Sequence, residues 1–371
     1  MTPQESLSLP RARVWRDNGG VMFPRLPFAF LACATLLAAA PLPVRGIRLS
    51  APLPNEVQRM TKFIREVLVK EGVNTLVLEI NYRYQFQRHP EVADADALSL
   101  ADARAIAAAA RESGIELIPL VDLLGHQSWA GKTFGLLKAH PEFDETPGLY
   151  KDNAGIYCRS YCPLHPQVHA VLFDVIDEIL DAFEAKALHG GMDEVFLIGE
   201  DTCVRCKGKD KAQLFAGEVR AIHDHLAEKG RRLWIWSDRL IDGKTTGIGE
   251  WEASQNGTAA ALREIPRDVV LCDWHYESAH PTALAFALDG FEVLSSPWRQ
   301  TGVGLRQLDL IRLGREEASP EVAARLRGVL HTTWSPFGAF SAAYWKDGPT
   351  NTEAQEEAQC FREVMRRARM E

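Results

Sequence analysis

The residues best suited to chemistry are two adjacent carboxylic acids, Asp193 and Glu194, which follow the stretch His189-Gly190-Gly191-Met192. Neighbouring carboxylates in a partly dry pocket repel each other, so the pKa of one should rise and suit it to general-acid catalysis near neutral pH. The same dipeptide is common on solvated helix surfaces. Here two glycines precede it at the end of a predicted strand, and this context favours a catalytic pair.

Further polar and aromatic residues follow other predicted strands. Aromatic faces stack on the C–H side of a sugar while carboxylates bind its hydroxyls, so this combination predicts a carbohydrate site. A single tryptophan is equally well explained as a core residue, but several after strand ends favour a binding role. The candidates are Asp122, His126, His189, Trp236, Asp238, Trp251, Asp273, Trp274, Tyr276, Trp298 and Trp334.

The elements that would position these residues alternate along the chain. Short β-rich apolar runs and helical patterns follow one another about eight times, which predicts a single (β/α)8 TIM barrel of the α/β class with its chemistry at the C-terminal ends of the strands. An open doubly wound sheet fits less well, because no Gly-rich nucleotide loop occurs. The predicted strands are 47–50, 75–81, 116–123, 187–191, 233–238, 269–275, 292–296 and 329–334. The predicted helices are 56–70, 100–113, 166–183, 211–229, 258–264, 281–288, 320–327 and 353–370.

Charge and the N-terminal pattern bear on partners and location. The 371 residues carry 42 Lys and Arg against 50 Asp and Glu, so a nucleic-acid partner, which needs a basic surface, is not expected. Arginines lead into residues 28–40, an uncharged apolar run that ends in small residues. This predicts that residues 1–43 are a leader and signal peptide, that 44–371 form the barrel domain, and that the protein is periplasmic or secreted without a membrane span. A buried strand or a retained anchor is the alternative.

Four separated segments resemble glycoside hydrolase family 20, the β-N-acetylhexosaminidases. Residues 189–194 resemble the family's H-x-G-x-D-E motif, and residues 117–126 resemble its IP-x-x-D-x-x-GH segment. Residues 162–166 are similar to the Cys-Pro stretch before the catalytic strand, and Arg45-Gly46 stands where the family has a first-strand Arg-Gly. The run 193–200 is most similar to the short hexosaminidase D type.

The resemblance implies a retaining exo-β-N-acetylhexosaminidase that hydrolyses terminal β-linked GlcNAc or GalNAc from glycans or glycoconjugates, with no cofactor. Glu194 would be the general acid and then the base that activates water. Asp193 would orient the 2-acetamido group, whose oxygen attacks the anomeric carbon in place of an enzyme carboxylate. Arg45 would hold sugar hydroxyls, and His126 would support the pair. Substrate contacts would also come from Asp122, His189, Trp236, Asp238, Trp274, Tyr276, Trp298 and Trp334.

The sequence departs from the family pattern at three places. The family's late Tyr-x-Asp has no clear counterpart, although Tyr276 could substitute; proline replaces the glutamate after Trp334; and the second-strand aspartate is missing near Asn81. Two other functions therefore stay open. One is a carbohydrate-binding barrel that has lost catalysis. The other is a glycosidase for non-acetamido sugars that uses Asp238 or Asp273 as its nucleophile.

Four of the seven cysteines flank the predicted catalytic strand, as Cys158-x3-Cys162 and Cys203-x2-Cys206. In an exported protein, disulfides are the first expectation. The second pair also resembles a zinc knuckle, so the four could form a four-thiolate structural site. A catalytic metal is not predicted, because the HExxH pattern is absent.

Overall fold

The computed structural model describes residues 42–370 of the chain. The predicted signal peptide falls almost entirely outside these residues and stays a prediction. In the described part of the chain, no helix is both long and apolar enough to cross a membrane.

Eight parallel strands close into a barrel, as the alternating pattern predicts. Each strand pairs with its neighbours in the sequence, and the last strand pairs with the first. The fold is therefore a (β/α)8 TIM barrel. The strands are β1 (Val44–Ser50), β2 (Thr75–Glu79), β3 (Glu116–Leu123), β4 (Ala187–Gly191), β5 (Arg232–Trp236), β6 (Val270–Trp274), β7 (Val293–Ser296) and β8 (Leu326–Thr332).

Helices surround the barrel on its outer face. They are α1 (Val57–Phe63), α2 (Leu100–Glu112), α3 (Gly135–Ala139), α4 (Val168–Ala182), α5 (Lys211–Ala227), α6 (Gly243–Thr246), α7 (Thr282–Leu288), α8 (Thr301–Glu317), α9 (Pro320–Arg325), α10 (Phe337–Trp345) and α11 (Thr352–Arg369). A π-helical stretch, Ile64–Leu68, continues α1, and the helix expected at 258–264 is a 3-10 helix, Thr258–Arg263.

Helices α8 and α10 and the short helices α3 and α6 are not among the predicted helices. Three glycines, Gly302, Gly304 and Gly314, weaken the intrinsic helix propensity of α8. Packing against α11 stabilises this helix despite its weak propensity. A Cβ at Gly304 would lie only 2.9 Å from Cγ2 of Val364 on α11, so there is no room for a larger residue. Close approach of the two helices thus depends on this glycine. Helix α10 is apolar on all sides, so it lacks the amphipathic pattern that marks a helix at a surface.

Side chains alternate between two apolar layers. On β1, Ile47 and Leu49 join the large core between the strands and the helices, whereas Val44 joins a smaller core inside the barrel. The interior core includes Val77, Ile118, Trp234, Trp236, Cys272, Trp274 and Leu330. Because successive residues of a strand face opposite sides, the inward residues near the C-terminal strand ends meet at one mouth.

Candidate active site

Asp193 and Glu194 leave β4 through a turn with a rare backbone conformation. Gly191, Met192 and Glu194 have positive φ angles of 62°, 68° and 48°, and this region is costly for residues other than glycine. At Gly191 there is also no room for a side chain, since a Cβ would lie 2.6 Å from Asp122 Oδ1. Strain of this kind is typical of functional sites, and here it turns both carboxylates toward one histidine.

His126, from the loop after β3, lies between the two carboxylates. Its Nε2 is 3.3 Å from Asp193 Oδ2 and 3.1 Å from Glu194 Oε2. Burial disfavours the imidazolium, but the charge of Asp193 and the contacts with both carboxylates outweigh it and hold the pKa of His126 well above its usual value. Desolvation also disfavours a charged Asp193, yet His126 prevails and lowers the pKa of Asp193. The upward shift expected from repulsion within the pair is therefore reversed at Asp193.

Asp238, directly after β5, holds the backbone of the pair in place. Its Oδ2 accepts hydrogen bonds from the Glu194 N–H at 2.9 Å and from Arg239 Nε at 2.6 Å, and its Oδ1 accepts one from Trp274 Nε1 at 3.2 Å. Its side chain is fully buried. Desolvation raises the pKa of Asp238 to about 6, although Arg239 opposes this shift. Asp238 is thus a positioning residue, not an accessible nucleophile.

Asp273, the other candidate nucleophile, does not face the mouth. Its oxygens accept hydrogen bonds from Ser237 Oγ at 2.8 Å and Thr282 Oγ1 at 2.7 Å, and it is buried. It follows the inward-facing Cys272 and precedes the inward-facing Trp274, so it points out of the barrel.

The residue that reaches the mouth from β1 is Arg48, and the expectation for Arg45 is wrong. Arg45 lies near the N-terminal end of the strand, where Nε donates to Gly72 O and a terminal nitrogen donates to Leu42 O, each at 2.8 Å. Strand geometry explains the difference, because successive side chains point to opposite sides. Arg48, like Val44, points into the barrel, whereas Arg45, like Ile47, points toward the surrounding helices. A charged residue near the C-terminal end of an apolar strand was the signal that could have identified Arg48.

Arg48 is part of a polar row across the floor of the mouth. It forms a salt bridge with Glu79 at the end of β2 and lies 4.1 Å from the centroid of the Trp334 ring. Next to Glu79, Asn81 donates to Asp122 Oδ2 at 2.8 Å and accepts the Asp122 N–H at 2.7 Å. Desolvation, followed by the charges of Glu79 and Asp193, raises the pKa of Asp122. Ordered donors and acceptors of this kind match sugar hydroxyls.

His189 belongs to the floor and is a buried, neutral group. It is 0% exposed, and its Nδ1 accepts the Gly191 N–H at 3.1 Å. Burial lowers its pKa to about 3. The ring lies 4.3 Å from the ring of Trp236. His189 thus has the contacts of a buried core histidine, and among residues 42–370 it makes none that would point to direct substrate binding.

The predicted aromatic residues do come together on one side of the mouth. Trp334 Nε1 donates to Tyr276 Oη at 2.9 Å, and the Tyr276 ring lies 4.8 Å from that of Trp274 and 5.2 Å from that of Trp298. Trp236 is 6.3 Å from Trp334 and is buried at the bottom of this group. Together they form a wall of aromatic faces beside the polar floor.

A second aromatic group, which the sequence analysis largely missed, borders Glu194 on the outer side. The Tyr157 ring lies 4.9 Å from that of Trp129 and 4.8 Å from that of Trp251, and desolvation, followed by the charge of Glu194, raises the pKa of Tyr157. Trp129 and Trp251 are 52% and 47% exposed. Trp251 was noted after a strand, but Tyr157 and Trp129 belong to long loops whose path only the fold shows. These exposed rings beside Glu194 present faces on which a bound sugar can stack.

The cysteines do not group as their spacing suggests. Cys158, Cys162, Cys203, Cys206, Cys272 and Cys360 are all free thiols in the described part of the chain. Cys158 contacts the Glu194 carbonyl oxygen at 3.7 Å, whereas Cys162 lies 3.5 Å from Cys206 and 3.4 Å from Cys203. Among residues 42–370 the cysteines form no disulfide, and the four do not make one cluster, because Cys158 contacts the Glu194 carbonyl and is not grouped with the other three.

Comparison with known proteins identifies the family. The family model described as "Glycosyl hydrolase family 20, catalytic domain" matches residues 75–298, more than half of the chain.

The chain belongs to glycosyl hydrolase family 20.

Its similarity to individual family 20 proteins is low. A β-hexosaminidase of Vibrio furnissii is 26% identical over 220 residues, which are 55% of this chain and 30% of that protein. Among solved structures, an exo-β-N-acetylglucosaminidase of Vibrio harveyi in complex with N-acetylglucosamine has a TM-score of 0.61 at 17% identity, over 88% of this chain and 55% of that one. A chitobiase of Flavobacterium johnsoniae has a TM-score of 0.59 at 18% identity, over 88% of this chain and 50% of that one. The structural matches show the shared fold, and the chain spans 30–55% of the length of these three relatives.

The family 20 match contains the catalytic pair but stops short of two strands of the site. Residues 75–298 include β2 to β7, while Arg48 and Trp334 come from β1 and the end of β8. These two strands pair with each other and close the barrel. The closed barrel thus contains two strands that lie outside the matched residues.

Proposed function

We propose that the protein is a retaining, exo-acting β-N-acetylhexosaminidase that removes terminal β-linked GlcNAc or GalNAc by substrate-assisted catalysis. The observation that carries the proposal is the adjacent pair Asp193 and Glu194, joined through His126 at the mouth of a family 20 barrel. The β-hexosaminidase relative supports the activity.

Each carboxylate has its own role in this reaction. Glu194 gives a proton to the glycosidic oxygen as the bond to the anomeric carbon breaks and the acetamido oxygen of the same sugar attacks that carbon. The product of this step is an oxazolinium ring, and Asp193 holds its N–H and balances its positive charge. Glu194 then takes a proton from water, and the hydroxide adds to the anomeric carbon and opens the ring. Two inversions give net retention.

The arrangement of carboxylates favours the acetamido group as the nucleophile. A retaining enzyme with its own nucleophile needs a second free carboxylate about 5–5.5 Å from the acid, across the sugar. Asp193 shares an imidazole with Glu194, Asp238 is fully buried and engaged by three donors, and Asp273 faces away. None of the three is placed as an independent nucleophile.

The floor and the wall of the mouth would bind the sugar. Arg48 and Glu79 present donors and acceptors to hydroxyls, and Trp334 covers the guanidinium and offers a ring face. Because GlcNAc and GalNAc differ only in the orientation of one hydroxyl, this floor is the region where the two sugars would be distinguished. Tyr157 and Trp251 would contact the leaving group.

The test is hydrolysis of three 4-nitrophenyl β-glycosides, those of GlcNAc, GalNAc and glucose. We expect turnover of the acetamido sugars only and tight inhibition by a thiazoline mimic of the oxazolinium ring. Glu194→Gln should lower kcat by about 10²- to 10⁴-fold, with a larger loss on a disaccharide than on the nitrophenyl glycoside, since a poor leaving group needs the proton more.

Asp201→Asn, on the same loop but exposed to solvent, is the matched control and should keep full activity. Hydrolysis of the glucoside at a comparable rate would reject substrate assistance. Thiazoline binding without any turnover would indicate a binding-only barrel in place of an enzyme.

A further inference from the structure

A second buried cluster of potential ligands lies outside the catalytic pair. Its members are Glu145, Cys162, Cys203 and Cys206, whose ligand atoms all lie within 4.8 Å of one another. All four residues are at most 2% exposed. The sulfur of Cys162 is 3.5 Å from that of Cys206 and 3.4 Å from that of Cys203. Three thiols and one carboxylate thus share a site closed to solvent.

Glu145 points to a missing partner at this site. Its Oε1 accepts the Glu200 N–H at 3.0 Å, but its Oε2 has no hydrogen-bond partner among residues 42–370. A buried carboxylate oxygen without a partner is costly, and such groups normally pair with a cation or coordinate a metal. In the described part of the chain, no lysine or arginine forms a salt bridge with Glu145.

Disulfide formation does not account for the cluster. A disulfide bond is about 2.05 Å long and joins only two sulfurs. With three thiols at similar separations, oxidation would leave the third thiol and the Glu145 carboxylate buried together without a partner. The separations instead approach the ~3.8 Å expected between two sulfurs that each lie about 2.3 Å from a tetrahedral zinc ion.

We propose that Glu145, Cys162, Cys203 and Cys206 bind one structural Zn²⁺ ion in a tetrahedral three-thiolate, one-carboxylate site. Zinc is the divalent metal that accepts this mixture of soft sulfur and hard oxygen without a redox change. Four protein ligands leave no open position, so the site holds structure and takes no part in hydrolysis.

The ligands join segments that flank the catalytic turn. Cys203 and Cys206 lie in the stretch 192–210 after β4, which begins with the catalytic pair and contains no helix or strand. Glu145 and Cys162 lie in the connection between β3 and α4. One ion would thus fasten the catalytic loop to the loop that carries Tyr157.

The test is metal analysis of the full chain, purified without chelators under reducing conditions. Inductively coupled plasma mass spectrometry should find about one zinc per chain. Cys203→Ser and Glu145→Gln should each weaken zinc binding at least tenfold in competition with a chromogenic chelator. Cys360→Ser, which changes an equally buried thiol on α11 that is not in the cluster, should keep the full zinc content.

A second measurement uses the wild-type chain alone and does not depend on variants that fold. Replacing the metal with Co²⁺ should produce the visible absorption bands of tetrahedral cobalt and a sulfur-to-cobalt charge-transfer band. Less than a tenth of a zinc ion per chain after reduction and incubation with excess zinc would overturn the proposal. A peptide map with a disulfide between any two of the three cysteines would overturn it as well.

Discussion

At the scale of single residues, the site depends on how far each side chain reaches along its strand. Arg48 and Arg45 are only three residues apart on β1, yet one reaches the mouth and the other binds backbone carbonyls near the opposite end. The two arginines therefore form a natural pair for testing where the sugar binds.

We expect Arg48→Ala to lower kcat/KM on the GlcNAc substrate by at least 100-fold, mainly through KM. The reason is that it removes a buried donor set and leaves Glu79 without its cation. Arg45→Ala should leave kcat/KM within about twofold while lowering the free energy of unfolding by about 1–2 kcal/mol. Steady-state kinetics and urea unfolding check both variants. Equal losses of activity in the two would contradict this placement of the arginines.

His126 lowers the pKa of its neighbour Asp193. Because its charge lowers the pKa of Asp193, His126→Asn should raise that pKa. Asp193 must be ionised to balance the oxazolinium, so the acid limb of the kcat/KM pH profile should move to higher pH. His223→Asn, which changes a histidine paired with Asp224 and Asp268 at the surface, should leave the limb in place.

The same pair predicts how stability varies with pH. The raised pKa of His126 stabilises the folded state below about pH 6.5, and this stabilisation is lost as the pH rises through the pKa that His126 has in the folded protein. The lowered pKa of Asp193 contributes above about pH 4, and this is lost as pH falls. The difference in unfolding free energy between wild type and His126→Asn should therefore be largest between about pH 4 and 6.5. A difference independent of pH would argue against the ion pair.

At the scale of elements, the C-terminal helix α11 positions two aromatic residues of the site. Glu357 on α11 is 0% exposed, and its Oε1 accepts hydrogen bonds from Trp298 Nε1 at 2.7 Å and from the Trp334 N–H at 2.7 Å. Burial raises the pKa of Glu357, although these bonds oppose the shift. A helix packed outside the barrel thus controls the ends of β7 and β8.

We expect Glu357→Ala to lower the free energy of unfolding by roughly 2–4 kcal/mol, because it leaves the donors of Trp298 and Trp334 buried without an acceptor. It should also raise KM. Glu357→Gln keeps one acceptor oxygen and should recover most of both losses, while Glu363→Gln on an exposed part of α11 should have no effect. Thermal unfolding and kinetics measure these changes. Failure of glutamine to recover more than alanine would contradict the acceptor role.

At the scale of the whole molecule, the barrel is complete within the described residues. Strand β1 begins at Val44, and its pairing with β8 closes the ring. Residues 1–41 are not among the residues that the structure describes, and we propose that they include the signal peptide of an exported enzyme.

A chain that starts at Leu42 should therefore have the same kcat as the full chain and a Tm within about 2 °C of it, since it keeps all eight strands of the barrel. When the full chain is produced with an export pathway, intact mass should show loss of the apolar run 28–40. A large loss of activity in the shortened chain would show that the first residues serve the barrel. Retention of the full mass in the exported fraction would reject cleavage.

The sequence alone was enough for the barrel, its eight strands and the place of Asp193 and Glu194 after the fourth strand, because each depends on local pattern or short spacing. Strand alternation and the run of residues 189–194 are properties of neighbours in the chain. Pattern failed at α8 and α10, where tertiary packing compensates for weak propensity or for the lack of an amphipathic face.

Only the tertiary structure decided which distant residues share a site. Arg48 and not Arg45 reaches the mouth, because the closed barrel decides which side of β1 faces inward. Glu145 and not Cys158 lies with the other three cysteines, because the connection between β3 and α4 meets the stretch after β4 there. Likewise, the shift in the pKa of Asp193 came from His126, 67 positions earlier in the chain, and not from its neighbour Glu194. Contacts between residues far apart in the sequence depend on the tertiary fold, and the spacing of neighbouring residues does not determine them.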